Sequence, residues 1–205
     1  MPPAMILLRL LPVMTTTSTL TLTFCEDLFL RPHTQLSGTA RDHANGVLPP
    51  YIARWFPPGF AYILVFYPAT WALAIANLAV RTASFDPYYY SQRSADATSR
   101  AAWSLYAAGL VFSLAHFAWG PKAKGLLDAV AANGPRAVAH SADRTNAGNT
   151  ISDDSCTSSD EADGEIKDSM PILRDWLRLN AIRGISVDVP AWACFFIGFL
   201  LSATD

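Results

Sequence analysis

The sequence predicts an all-α integral membrane protein, a four-helix bundle with an amphipathic extension before the last span. Three observations carry that expectation. Apolar residues make up 51% of the 205-residue chain and charged residues only 16%, well below the roughly 25% charged content of soluble domains. The apolar residues gather in four blocks, each close to the ~20 residues that a helix needs to cross a bilayer. Aromatic residues collect near the block ends, at Trp55, Tyr88, Tyr89, Tyr90, Trp103 and Trp119, where amphipathic rings settle at headgroup level.

The first block, AMILLRLLPVMTTTSTLTLTF at 4–24, holds Arg9, Pro12 and six threonines. A signal peptide needs a basic start, an unbroken apolar core and a small-residue cleavage site. This block has none of these and is read as a span. Threonine hydroxyls can bond backbone carbonyls of their own helix, so the run is compatible with lipid, and Arg9 can snorkel to the surface. The second block, residues 60–80, carries no charge at all. A water-soluble helix would need a polar face that this one lacks. In the third, residues 101–120, His116 is the ionisable group. The fourth, residues 185–203, has Asp188 near its start and Pro190 to bend it.

Four spans place both termini on one side. The positive-inside rule puts the first and third connections in the cytoplasm, since they hold Arg31, Arg41, Arg54, Lys122, Lys124, Arg174, Arg178 and Arg183 against Arg9, Arg81, Arg93 and Arg100 opposite. The chain divides into residues 1–133 with three spans, an acidic segment at 134–168, and residues 169–205 with an interfacial helix and the last span. The acidic segment is rich in Ser, Asp and Glu and nearly lacks large apolar residues, so disorder is expected from 134 to 167. It can dock a protein partner. The expected setting is the endoplasmic reticulum or another endomembrane, crossed several times, with membrane lipid as the main partner. The near-neutral net charge of −2 argues against nucleic acid.

Ahead of the last span stands SMPILRDWLRLNAIRG. Ser169 is placed to cap a helix and Pro171 suits its first turn. Trp176, Asn180 and Arg183 follow i, i+4, i+7 spacing and share a face, with Leu173, Leu177 and Ile182 elsewhere. Trp and Arg here serve as interfacial anchors on the simplest reading; Asn180 has no such role. Asp188 is expected to be an interfacial partner of Arg183 or Arg54. Glu26 and Asp27 close the first span within reach of water, and Asn77 suits a helix–helix hydrogen bond. Cys25, Cys156 and Cys194 are far apart and form no CxxC pair, so no metal or redox site is expected.

LRDWLRLNAIRG resembles the W-x-x-L-N-x-x-R signature of the DUF1772 family, which includes the anthrone oxygenases of fungal polyketide pathways. ARWFPPGF and AHFAWGPKAKGLLDAV match that family more loosely. The resemblance implies a compact four-helix membrane protein with a polar loop before the last helix. It also implies oxidation by O2 of a hydrophobic aromatic, polyketide-like substrate in secondary metabolism, with no metal and no other cofactor. Such chemistry needs a base, an oxyanion site and an apolar pocket. His116 is the candidate base, Arg183 and Asn180 the candidate oxyanion ligands, and Trp55, Trp119 and Trp176 the surfaces on which an aromatic substrate can stack. The competing expectation is a non-catalytic membrane scaffold or accessory protein.

Overall fold

The computed structural model describes residues 2–83, 93–133 and 168–203, and the elements within them are all helical. Helix α1 (Pro3–Leu30) leads through a 3-10 turn (Arg31–Gln35) to α2 (Gly38–Ala83). Helix α3 (Arg93–Ala115) passes through a 3-10 turn (His116–Trp119) into α4 (Gly120–Ala132). Helix α5 (Met170–Arg183) runs through a π-helical turn (Gly184–Asp188) into α6 (Val189–Ala203). Tyr88, Tyr89, Tyr90, Cys156 and the acidic segment expected to be disordered lie outside the described residues.

Four helical stretches, Pro3–Gln35, Gly38–Val80, Thr98–Ala132 and Met170–Ala203, are long and apolar enough to cross a membrane. The chain is an all-α, multi-pass membrane bundle. Phe24, Leu28, Phe29, Val65, Val111 and Ile185 are 62–74% exposed. Water would penalise that surface, whereas hydrocarbon accepts it.

At 1.5 Å per residue, stretches of 33 to 43 residues measure about 50–65 Å, well beyond the ~30 Å hydrocarbon core. The bundle accordingly has two tiers. In one, Val13 of α1, Ala74 of α2, Tyr106 of α3 and Phe195 of α6 pack together. In the other, Leu30, Ile52 of α2, Val130 of α4 and Leu173 of α5 form a second core. The sequence expects a helix at 169–183 in this second tier but only a connection between the first two spans; α2 instead begins at Gly38 and stays helical through Pro49, Pro50, Pro57, Pro58 and Pro68.

Local chemistry supports the helices inside lipid. The Thr16 and Thr17 hydroxyls donate to the carbonyls of Pro12 and Val13, both at 2.7 Å, and Thr15, Thr19, Thr21 and Thr23 bond back in the same way. Pro12 has no N–H for the Leu8 carbonyl four residues back. Asn77 Nδ2 of α2 donates to that carbonyl at 2.9 Å, so the expected helix–helix bond repairs the gap a proline leaves.

Three expectations about the last stretch need correction. Ser169 makes no side-chain cap; Asp168 Oδ1 takes the Met170 N–H at 3.0 Å, while the Ser169 hydroxyl accepts from Asn133 Nδ2. Leu173 and Leu177 are buried along with Trp176, Asn180 and Arg183, because 173, 176, 177, 180 and 183 form one helical stripe. Asp188, expected among groups open to the interface, is buried inside the bundle with 4% of its surface exposed, while its expected pairing with Arg183 is present.

Candidate active site

The third and fourth membrane stretches each break from regular α geometry where His116 meets Asp188. Tyr67 stands just before Pro68 in α2, His116 opens the 3-10 turn after α3, and Asp188 ends the π turn before α6. In an α-helix, residues five apart point about 140° away from each other. The π turn, closed by the Val189 N–H on the Gly184 carbonyl, is wider and brings Asp188 back towards Arg183. It ends at Asp188, two residues before Pro190, which has no N–H to continue an α ladder.

The result is a buried polar cluster. Tyr67 Oη donates to Asp188 Oδ1 at 3.0 Å and lies 2.5 Å from His116 Nδ1. His116 Nδ1 is 2.8 Å from Asp188 Oδ1. A carboxylate oxygen can only accept, so this contact fits the Nδ1–H tautomer and leaves Nε2 as the basic nitrogen. The rings of Tyr67 and His116 pack at a centroid distance of 4.0 Å.

Arg183 lies on the other side of Asp188, its Nε 3.7 Å from Oδ2. That is too long for a hydrogen bond, and both atoms are buried without a hydrogen-bond partner. The pairing is therefore coulombic, in a setting that screens charge less than water does. Arg183 also donates to Asn180 Oδ1. Asn180 Nδ2 reaches the Thr23 carbonyl of α1 at 3.4 Å. Among the described residues, no three His, Cys, Asp or Glu side chains are arranged to hold a metal ion.

Against this cluster lies a cavity of about 450 Å³, whose wall includes Glu26, Trp55, Phe60, His116, Phe117, Trp176 and Arg183. The volume is in the range of small-molecule sites. Of the residues singled out from the sequence, His116, Arg183, Trp55 and Trp176 meet on this wall. Asn180 stands one contact behind it, through Arg183. Trp119 does not belong to the wall and is partly exposed in the 3-10 turn; Phe117 of that turn faces the cavity instead. Tyr67 and the cavity-facing position of Glu26 escaped the sequence reading. A tyrosine in an uncharged span carries no signal beyond its proline neighbour.

This geometry meets a consistent set of relatives. The chain is 31% identical to epoxidase pydX of an Acremonium species over 192 residues, 92% of this chain and 90% of the relative. It belongs to the pydX-type epoxidase family. Within that family, probable epoxidase scpX of Mollisia scopiformis is 29% identical over 95% of this chain and 94% of its own length. Epoxidase gkaX of Penicillium citrinum is 27% identical over 93% and 91%. No family model matches this epoxidase-family chain, so its DUF1772 resemblance rests on the signature residues alone. No solved structure matches it significantly.

Proposed function

We propose that the chain is a membrane oxygenase that uses O2 on an apolar, polyketide-like substrate in secondary metabolism, by chemistry that begins with proton removal. The observation that carries this reading is the Tyr67–His116–Asp188 hydrogen-bonded cluster, of which His116 reaches the wall of an aromatic-lined cavity beside Arg183. His116 Nε2 takes a proton from a carbon activated by a neighbouring carbonyl or aromatic ring. Asp188 holds the imidazole in the required tautomer and stabilises its protonated form. Arg183, positioned by Asn180, meets the negative charge that develops on the substrate oxygen. Trp55 and Trp176 hold its apolar rings.

The carbanion and O2 give a hydroperoxide, with the proton returned to its outer oxygen. Two balanced outcomes follow. Where the attacked carbon was a methylene, the hydroperoxide loses water and leaves a ketone. One oxygen atom of O2 then ends in the carbonyl and the other in water, together with both methylene hydrogens, which is the anthrone type of reaction. Alternatively, the peroxide passes one oxygen to a conjugated double bond of the same substrate and keeps the other as a hydroxyl. The product is then an epoxy alcohol, and the relatives' name, epoxidase, favours this second outcome. Neither stoichiometry draws electrons from outside. The basic residues of the second tier support a cytoplasmic setting for that tier under the positive-inside rule, with the endoplasmic reticulum as the proposed membrane.

The test is oxygen uptake by microsomes containing the protein, with emodin anthrone and a panel of conjugated enones under isotopically labelled oxygen. Label should enter the product, and His116→Gln should reduce the rate to that of autoxidation. A wild-type rate equal to autoxidation across the panel would overturn the reading.

A further inference from the structure

The glycines divide by what surrounds them. A Cβ on Gly109 would lie 2.8 Å from the Phe195 ring, one on Gly198 would meet Tyr106 at 3.3 Å, and one on Gly184 would meet Thr23 at 3.3 Å. Close packing accounts for these three. Gly59 and Gly120 have no such reason. Gly120 sits at φ −53°, ψ −51°, a conformation open to any residue, and a Cβ there meets nothing within 4 Å. At Gly59 the nearest atom would be 4.0 Å away, on Trp55. Glycine within a helix is unfavourable relative to alanine, so both positions give up helix stability without gaining a protein contact. Gly46 and Gly125 also have open surroundings, but they are exposed.

Gly59 and Gly120 both line the cavity, one from α2 and the other from the start of α4. Their neighbours on its wall, Phe60, Pro121 and Lys124, are exposed, which marks where the cavity reaches the surface. Phe60 begins the uncharged run at 60–80, and the Lys124–Asp128 pair beside the opening is polar and exposed. The opening therefore stands at the membrane boundary.

We infer that Gly59 and Gly120 form the bore through which a flat, apolar polycyclic molecule held in the bilayer enters the cavity, and that their missing side chains set the width of molecule accepted. This rests on the oxygenase reading for the purpose of the site, but the bore is tested by binding alone. Trp55 and Trp176 on the cavity wall report a bound quinone by fluorescence quenching. The probe is emodin, titrated into full-length protein in lipid nanodiscs. The wild type should show saturable quenching. Gly120→Leu and Gly59→Leu should weaken it about tenfold or more, the scale on which pockets discriminate added methylenes, with Gly120→Ala in between and Gly125→Leu unchanged. Thermal melting of each variant checks folding; Gly120→Ala, which fills open space, should melt no lower than wild type. Equal binding by wild type and a folded Gly120→Leu, or no saturable quenching by the wild type, overturns the inference. His116→Gln separates the two ideas. If it binds emodin normally yet still oxidises the anthrone, the proposed chemistry fails while the bore stands.

Discussion

His116 Nδ1 lies 2.8 Å from Asp188 Oδ1, both side chains almost wholly buried. These residues are 72 positions apart in sequence and on different membrane stretches, so their contact depends on the π turn that rotates Asp188 inward. The same carboxylate faces Arg183 and accepts from Tyr67. Asp188 thus has two tasks, orienting a base and neutralising a buried cation.

Two substitutions separate those tasks. Asp188→Asn keeps the size and a hydrogen-bonding oxygen but removes the charge that favours protonated His116; oxygen uptake with an accepted substrate should fall about a hundredfold or more. Asp188→Ala additionally leaves Arg183 buried without its partner and should lower stability by about 3–5 kcal/mol. Thermal melting in detergent alongside turnover measures both. Full activity in Asp188→Asn would remove Asp188 from the chemistry.

Tyr67→Phe preserves the ring contacts with His116 and Phe117 and deletes one hydroxyl. Asp188 then loses a donor, for an expected cost of about 1–3 kcal/mol. Tyr67 is a positioning residue, because it acts through Asp188 and His116. The variant should bind emodin normally, turn over more slowly and show a displaced pH–rate profile. A uniform loss of binding with an unmoved profile would indicate a packing role only.

The bundle was legible in the sequence because hydrocarbon imposes a strong rule, ~20 apolar residues per crossing. The face shared by Trp176, Asn180 and Arg183 was legible because α5 is a regular helix up to Arg183. Asp188 was not, since a reading at 3.6 residues per turn cannot anticipate a π turn. The second tier was hidden for another reason. Proline disfavours a helix around it, yet α2 remains helical through Pro49–Pro50 and Pro57–Pro58, where its N-terminal half joins α4 and α5 in one core through Leu48, Ile52, Leu127 and Leu173.

Acid should loosen the junction ahead of α5. Partial burial pushes the Asp168 carboxyl up, but the Met170 N–H, Arg41 and Asn45 outweigh this and hold it below the usual aspartate value. A depressed value means that the folded state binds its proton later than the unfolded state does. The stabilisation is therefore complete at neutral pH and is lost as pH falls through the ordinary aspartate range and below. With 39% of the Asp168 side chain exposed, the effect should be about 1 kcal/mol or less. Melting temperature measured from neutral to acidic pH should decline less in Asp168→Asn than in wild type; parallel curves would exclude this contribution.

The tightest packing prediction concerns α3 and α6. Phe195 is fully buried, and its ring fills the space where a Gly109 side chain would stand, 2.8 Å from a Cβ. Association of helices in lipid depends on such close approach, because burying apolar surface gains little there. Gly109→Ala should destabilise the protein by about 1–3 kcal/mol through overpacking. Phe195→Leu removes the obstructing ring edge at the cost of some contact. The double variant should then be more stable than the sum of the two single effects, with a coupling of about 0.5–3 kcal/mol. Thermal melts of the four proteins measure that coupling, and strictly additive shifts would mean that α3 and α6 do not meet at Gly109 and Phe195.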